Sequence, residues 1–299
     1  MKSGLKIAVT GRTGQVVTAL IERGAIAGHD IIALGRPELD LADPASVLRA
    51  IEAAKPDAVV SAAAYTAVDK AESERDLAFA VNGAGAGAVA QAAKALGVPL
   101  IHISTDYVFD GALDRPYVES DATSPTGVYG ASKLAGEEAV RSTYGENSAV
   151  LRVAWVYSPF GGNFVKTMLR LAGDKDEVGV VADQIGNPTS ALDIADGIIK
   201  VATNMVADSH PEHRGLFHMT ASGEASWADF AEAIFAASAA QRGPSASVKR
   251  IGTADYPTPA RRPANSRLEC DRIAQVHGVT LPRWQDALDV VIARLQSAN

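Results

Sequence analysis

A tyrosine and a lysine four residues apart, Tyr129 and Lys133, are the side chains in this sequence best suited to chemistry. Four residues make about one helical turn, so a helix here carries both side chains on one face. A nearby ammonium favours a phenolate, and we expect it to lower the pKa of Tyr129 from its reference of about 10. Such a tyrosine can exchange a proton with a carbonyl oxygen, which the Thr105 hydroxyl could also hold. The three residues predict a nicotinamide-dependent carbonyl reductase.

A glycine-rich turn near the N-terminus predicts the cofactor site. Gly11, Arg12, Gly14 and Gln15 follow an apolar stretch and precede a helical pattern. Such a turn lets backbone amides approach a pyrophosphate, and the helix N-terminus favours its negative charge. Val17 stands where a third glycine is common, which predicts slightly wider helix–strand packing rather than lost binding.

The end of the second predicted strand bears on the choice between the two nicotinamide cofactors. A carboxylate there would bind the ribose 2′-hydroxyl of NADH, whereas an arginine suits the 2′-phosphate of NADPH. The sequence continues Gly35-Arg36, and Arg12 could add a second guanidinium. We therefore predict NADPH, with NADH left open.

The first half of the chain alternates apolar runs with helical patterns, which predicts a Rossmann-type, doubly wound parallel sheet. The predicted strands are Leu5–Val9, Ile31–Leu34, Ala58–Ser61, Leu100–Ser104 and Ala149–Val153. The predicted helices are Gln15–Arg23, Pro44–Ala54, Asp69–Leu96 (interrupted by its glycines) and Tyr129–Tyr144.

After Trp155 the pattern changes, and we expect a smaller, interleaved α/β substrate domain. Residues 1–154 with returning segments at about 188–222 are predicted to form the cofactor domain, and about 155–187 with 223–299 the substrate domain. The elements predicted here are helices Asn163–Ala172, Ala191–Val206, Trp227–Ala240 (N-cap Ser226) and from about Trp284, strands Val178–Ala182, Leu216–Thr220 and Val248–Ile251, and an extended loop Tyr256–Pro263.

Composition excludes several classes of function. The net charge of −7 argues against a nucleic-acid or anionic-membrane partner. No apolar run is long enough to span a bilayer. The single cysteine, Cys270, cannot form an internal disulfide, so a reducing cytoplasm is expected. Of the six histidines only His210 and His213 are close in sequence, and no metal site is predicted.

An ordered series of segments resembles the extended short-chain dehydrogenase/reductase family, and within it the reductases of 4-ketosugar nucleotides. The resemblance runs nearly end to end. The segments that carry it are Gly11–Gln15, Ala62–Glu72, Ser104–Phe109, the Tyr129/Lys133 pair, Trp155–Tyr157, Asn163-Phe164, Asp183–Thr189 and Arg262–Ser266.

This resemblance implies a role for each matching residue. It places Gly14, Gln15 and Val16 at the cofactor pyrophosphate, Asp40 and Leu41 at the adenine, and Ala64, Tyr65 and Thr66 along the cofactor cleft. It makes Tyr129 the proton donor, Lys133 its partner and a ribose ligand, Thr105 the hydroxyl that orients the carbonyl, and Asp106 and Trp155 contacts of the deoxysugar nucleotide. Arg262 is the candidate for the substrate diphosphate, since a guanidinium fork matches phosphate oxygens.

The implied reaction is NADPH-dependent reduction of the C4 ketone of dTDP-4-dehydro-6-deoxy-L-mannose to dTDP-L-rhamnose. Some relatives carry a first-helix glutamate that helps bind magnesium between subunits. Ala19 stands at that position, so magnesium is not expected, and either a monomer or a homodimer remains open.

A related 4-ketoreductase that makes a different deoxysugar nucleotide could carry the same motifs. Two further alternatives from other classes share them. Sugar-nucleotide epimerases and dehydratases keep their cofactor bound and return the hydride in each cycle. A non-catalytic regulatory subunit, like that of methionine adenosyltransferase, would act as a binding partner. The intact set of Thr105, Tyr129 and Lys133 argues against this second alternative.

Overall fold

A six-stranded parallel sheet forms the centre of the protein, as a computed structural model describing residues 4–297 shows. The strands are β1 (Lys6–Thr10), β2 (Asp30–Leu34), β3 (Ala58–Ser61), β4 (Leu100–Thr105), β5 (Ser148–Val153), β6 (Val156–Tyr157), β7 (Glu177–Val181), β8 (Ile185–Gly186), β9 (Thr189–Ser190), β10 (Gly215–His218), β11 (Ala225–Ser226) and β12 (Ser247–Ile251). The α-helices are α1 (Gln15–Ile26), α2 (Pro44–Ala54), α3 (Val68–Ala71), α4 (Arg75–Phe79), α5 (Gly85–Leu96), α6 (Val128–Tyr144), α7 (Phe164–Asp174), α8 (Ala191–Ala207), α9 (Trp227–Ala240), α10 (Asp271–His277) and α11 (Trp284–Ser297).

The order of the central sheet is β2-β1-β3-β4-β5-β10, and every neighbouring pair is parallel. The predicted doubly wound fold is therefore confirmed. Strand β10 returns late in the chain to pair with β5, as its apolar pattern predicted. The connections leave β1 in opposite directions towards β2 and β3, so the crevice of this fold lies between the ends of β1 and β3.

Helices cover both faces of the sheet, which explains why its strands are near-continuous apolar runs. On one face Val60, Ile101 and Leu151 pack with residues of α1 and α8. On the other face Val59 and Leu100 belong to a second core with residues of α2, α5 and α6. Within residues 4–297, the helices lack the combined length and apolar character needed to cross a bilayer.

The single helix predicted between β3 and β4 is divided into α3, α4 and α5, with a π-helical turn at Ala80–Ala84. Asn82 in this turn bonds the backbone of Tyr65 through both its amide oxygen (2.7 Å) and its amide nitrogen (3.1 Å), and its nitrogen also donates to Ser132 Oγ (2.9 Å). The π-helical turn thus links the segment after β3 to helix α6.

The second half of the chain forms a smaller layer beside the sheet. Strands β7 and β12 make a parallel pair, and helices α7 and α9 pack on each other. Ser226 caps α9 as predicted, in a capping box with Asp229. Helix α10 was not predicted: it has seven residues and ends at Gly278 in a left-handed conformation.

Helix α6 approaches the turn after β4 and the π-helical turn closely because two of its residues are glycines. A β-carbon on Gly130 would lie 2.1 Å from the Tyr107 carbonyl oxygen, and one on Gly136 would lie 2.2 Å from the Asn82 carbonyl oxygen. Both contacts are with backbone, which cannot yield as a flexible side chain can. The positions of Tyr129 and Lys133 depend on this close approach.

We expect Gly130→Ala to push α6 away from the turn after β4. Overpacking of this kind costs about 1–3 kcal/mol of unfolding free energy, and turnover should fall with it because Tyr129 is displaced. Urea unfolding and a reductase assay would measure both effects. Gly173→Ala is the matched control: it lies in helix α7 with no heavy atom within 4 Å of the added carbon, and it should be neutral or stabilising by up to about 1 kcal/mol. Equal stability of the two variants would contradict the proposed constraint.

Candidate active site

A cleft of about 770 Å³ opens at the carboxyl ends of β1, β3 and β4. Because the strands are parallel, the glycine turn after β1, the alanines after β3 and Thr105 at the end of β4 meet at the same edge of the sheet. The hydroxyl of Thr10 accepts hydrogen bonds from the backbone of Ala62 and Ala63, both at 3.0 Å, and so joins two of these strand ends.

Most of the residues predicted for the site line this cleft. They are Gly11, Arg12, Gly14, Gln15, Val16, Arg36, Ala64, Thr66, Thr105, Asp106, Tyr129, Lys133, Trp155 and Arg262.

Three residues predicted at the cofactor do not line the cleft. Leu41 is buried against Gly85 of α5, and the Asp40 carboxylate accepts a bond from the backbone of Ala42. The Tyr65 hydroxyl donates to Glu74 at 2.7 Å. Their roles at the adenine and the cofactor remain predictions.

The glycine turn has the geometry needed to bind a pyrophosphate. Gly11 adopts a φ of +104°, which favours glycine, and its amide donates to Leu34 O at 2.6 Å. Gly14 occupies the N-cap of α1 without a side-chain cap. The first amides of α1 therefore remain available to an anion, and the helix dipole favours negative charge there. The residues present fit a dinucleotide.

Two arginines line the cleft near the end of β2. Arg36 is exposed and begins the turn that follows Gly35. Arg12 packs over Gly35 and forms an ion pair with Glu38. Glu38 was not predicted at the site, because an acid that binds the ribose of NADH is expected at the tip of the second strand. Glu38 lies four residues beyond the end of β2. Its charge offsets that of Arg12.

Tyr129 and Lys133 are held in place by contacts of helix α6 with strand β4, with the turn after β4 and with the segment that contains Glu72. Lys133 is buried in α6, and its Nζ donates to Ile103 O of β4 at 2.6 Å. The N-terminus of α6 is capped from a distance, because Glu72 Oε1 accepts from Val128 N at 2.8 Å. Tyr129 follows Val128 and packs edge-on against Tyr107. Glu72 lies in a segment singled out in the sequence, but its capping role was not foreseen.

Burial controls the proton affinities of this pair. Burial raises the pKa of Tyr129 well above its ordinary value, the charge of Asp106 raises it further, and the Thr105 hydroxyl opposes the rise. The expectation that Lys133 lowers this pKa was wrong, because desolvation dominates and the ammonium points to a backbone carbonyl. Burial also lowers the pKa of Lys133 to about 8. At neutral pH Tyr129 thus carries its proton and Lys133 is mostly charged.

Asp106 is a buried acceptor at the end of β4. Its Oδ1 accepts from Thr105 Oγ1 at 2.9 Å, and desolvation raises its pKa to about 6, although the nearby hydroxyls of Ser266 and Thr105 oppose the rise. Its Oδ2 is buried and has no hydrogen-bond partner among residues 4–297. Since an unpaired buried carboxylate oxygen is costly, it is suited to accept a bond from a ligand hydroxyl. The Thr105 hydroxyl thus has acceptors on both sides, the Asp106 carboxylate and the Tyr129 oxygen.

Trp155 is held in an unusual backbone conformation on one wall of the cleft. Its φ is +47°, which costs a non-glycine residue strain. Its ring stacks on Trp227 with centroids 3.5 Å apart and lies over Gly186, where a β-carbon would be 2.5 Å from the indole. Trp227 and Phe164 also line the cleft and were not among the predicted site residues. Only their three-dimensional stacking places them at the site.

Arg262 reaches the cleft from the C-terminal loop and is already engaged. Its Nη2 pairs with Asp69 at 2.7 Å, and its Nη1 donates to the Tyr107 hydroxyl at 2.9 Å. A diphosphate would share this guanidinium with Asp69.

Comparison with known proteins identifies the family. The family model described as the RmlD substrate binding domain matches residues 5–297. The dTDP-4-dehydrorhamnose reductase of Sinorhizobium fredii is 53% identical over 283 residues, which cover 95% of each chain. The chain belongs to the dTDP-4-dehydrorhamnose reductase family. The resemblance inferred from the motifs is thereby confirmed.

Solved structures of this family share the fold. The dTDP-4-dehydrorhamnose reductase of Clostridium acetobutylicum has a TM-score of 0.90 at 35% identity, covering 97% of this chain and 99% of that one. The Bacillus anthracis reductase, solved in complex with NADP, has a TM-score of 0.88 at 34% identity with the same coverage.

The lowered pKa of Lys133 predicts the alkaline limb of the activity profile. Burial disfavours the charged amine, so the ammonium is present below about pH 8 and is lost above it. We expect kcat/KM for ketone reduction to fall above about pH 8. Rates of NADPH oxidation measured from pH 6 to 10 in one mixed buffer would test this. Constant kcat/KM up to pH 10 would be incompatible with the prediction.

Proposed function

We propose that this protein reduces the C4 ketone of dTDP-4-dehydro-6-deoxy-L-mannose to dTDP-L-rhamnose with NADPH. The observation that carries the proposal is the convergence of Thr105, Tyr129 and Lys133 in the cleft beside the glycine turn. A carbonyl placed there meets a proton donor, a hydroxyl and an ammonium. The family supplies the substrate class, since its relatives are named dTDP-4-dehydrorhamnose reductases.

Tyr129 is the general acid of the proposed reaction. Reduction makes an alkoxide from the ketone, and that oxygen must receive a proton. The raised pKa of Tyr129 keeps the phenol protonated throughout the physiological range, which is the state required at the start of the reaction. The developing alkoxide is the stronger base, so proton transfer from the phenol is favourable once hydride has been delivered.

Thr105 and Lys133 would stabilise the charge that grows on the substrate oxygen. The Thr105 hydroxyl can turn from Asp106 to donate to the substrate oxygen. Lys133 supplies a fixed positive charge, held at the Ile103 carbonyl of β4, beside the oxygen that becomes an anion. Such charges act strongly in a site that excludes water.

A reduced nicotinamide, when bound, supplies the hydride. The amides at the start of α1 would hold its diphosphate, and Lys133 would meet its ribose. Asp106 Oδ2 would accept a hydroxyl of the deoxysugar nucleotide, and the stacked face of Trp155 would cover the sugar. Arg262 would contribute charge towards the substrate diphosphate.

We retain three finer predictions with this function. The cofactor domain comprises about 1–154 with 188–222, and the remainder binds the substrate. Among residues 4–297 there is no group of three or more His, Cys, Asp or Glu side chains suited to a metal, and our prediction remains that magnesium is not required. The cytoplasm is the expected location for an enzyme that uses NADPH and sugar nucleotides.

The reaction itself is the first test. Purified protein should oxidise NADPH when given freshly prepared dTDP-4-dehydro-L-rhamnose, and NMR should identify dTDP-L-rhamnose as the product. Tyr129→Phe should lower kcat by about 10²–10⁴ while NADPH still binds, because only the proton donor is lost.

Tyr144→Phe is the matched control, since Tyr144 lies at the far end of the same helix. It should leave kcat near that of the wild type. Near-normal turnover by Tyr129→Phe would remove this residue from the mechanism. Stoichiometric NAD retained through purification, without net oxidation of NADPH, would instead indicate an epimerase or dehydratase.

The cofactor preference is expected to depend on Arg36. Replacing Arg36 with alanine should raise KM for NADPH about tenfold or more, since a 2′-phosphate loses a charged partner, and should change KM for NADH little. Glu38→Gln should favour NADPH further by removing a negative charge. Arg49→Ala, which removes an exposed arginine from α2, is the control. An equal change in KM for both cofactors would rule out 2′-phosphate recognition by Arg36.

A further inference from the structure

A buried carboxylate lies one helical turn beyond Lys133 and has no role in the reaction described above. Glu137 is 1% exposed. Its two oxygens accept from Arg152 Nε at 2.9 Å and Arg152 Nη2 at 2.7 Å, and its Oε1 also accepts from Ser104 Oγ. Arg152 is itself 2% exposed. A fully buried bidentate ion pair of this kind carries a large desolvation cost, so its position beside the catalytic lysine requires an explanation.

The geometry joins this ion pair to the catalytic residues. Tyr129, Lys133 and Glu137 are spaced at i, i+4 and i+8, so they follow one face of α6. Lys133 bonds the carbonyl of Ile103 and Glu137 bonds the side chain of Ser104, which are consecutive residues of β4. The next residue along the strand is Thr105. The same two turns of α6 are therefore attached to the strand at the point where it presents the substrate-orienting hydroxyl.

Other ionisable groups lie on the elements packed against this face of α6. Strand β4 contributes His102, whose ring is buried and whose protonation Lys133 opposes. Asp106, in the turn after β4, acts on Tyr129, and Arg152 of β5 acts on His218 of β10. The charge of Glu137 favours the Lys133 ammonium and opposes the effect of burial. The elements packed against the opposite side of α6 approach it through Gly83, Gly87 and Asn82.

We propose that Glu137 is a positioning residue of the reductase, whose buried charge keeps the Lys133 ammonium protonated and fixed against strand β4. The inference rests on the proposed function, because it concerns the lysine of that same site. Arg152 and Ser104 hold the carboxylate in one orientation and satisfy its oxygens. Without the carboxylate, Arg152 and Lys133 would be two buried cations on neighbouring elements.

Replacement of Glu137 with glutamine tests the charge while it preserves the shape. The titration of Lys133 would be followed by NMR of ¹³Cε-labelled lysine, with its signal assigned by its loss in Lys133→Met. We expect the Lys133 midpoint and the alkaline limb of kcat/KM to move down by roughly one pH unit or more, as removal of a nearby buried charge predicts. At pH 9 this would lower kcat/KM about tenfold relative to the wild type.

Two further variants separate charge from packing. Glu138→Gln changes the adjacent, exposed glutamate and should leave both curves unchanged. Glu137→Asp retains the negative charge, so its Lys133 midpoint and pH profile should lie close to those of the wild type. If Glu137→Gln does not fold, Arg152→Gln removes the cation that offsets Glu137 and should move the Lys133 midpoint up, because the carboxylate charge is then uncompensated; an unshifted midpoint there would overturn the inference.

An unshifted Lys133 midpoint in folded Glu137→Gln overturns the inference, as does a uniform loss of kcat with an unchanged pH profile. The NMR titration needs no turnover. If the wild type reduces no ketosugar nucleotide, the proposed function fails, yet the midpoint still reports whether Glu137 controls Lys133.

Discussion

Helix α6 lies close enough to strand β4 for Lys133 Nζ to bond the Ile103 carbonyl at 2.6 Å. This contact depends on glycine at positions 130 and 136, where a β-carbon would overlap backbone atoms of neighbouring segments. The close approach brings a phenol, an amine and a hydroxyl to one end of the sheet. It also removes water from around them, and this loss of solvent controls their proton affinities.

Desolvation acts on each ionisable group according to its charge type. It raises the pKa of Tyr129 and Asp106 and lowers that of Lys133, because in every case the charged form is disfavoured. For a reductase these directions are useful, since the acid must begin protonated. A tyrosine with a strongly lowered pKa would suit the reverse oxidation better. Burial and the charge of Asp106 therefore control the pKa of Tyr129, and burial and the charge of Glu137 control that of Lys133.

The sequence was a good guide to local structure and to the residues that carry chemistry. Helix α2 and strand β3 were predicted with their observed bounds, because apolar periodicity, Pro44 and the buried valines act locally. Contacts between distant segments were not predictable in this way. Glu72 caps a helix that begins 56 residues later, and Arg12 pairs with a glutamate beyond the next strand. Periodicity reports that a residue is buried, but not which partner it meets.

Trp155 shows how the fold itself holds one wall of the site in place. A left-handed tryptophan persists only where its surroundings enforce it, since such a conformation costs about 1–3 kcal/mol. Here the Trp227 ring stacks on one side, and Gly186 leaves room for the indole against its backbone. Residues from three separate segments thus determine one side-chain position. A wall fixed in this way loses little side-chain entropy when a ligand binds, so less of the contact energy is offset by ordering of the site.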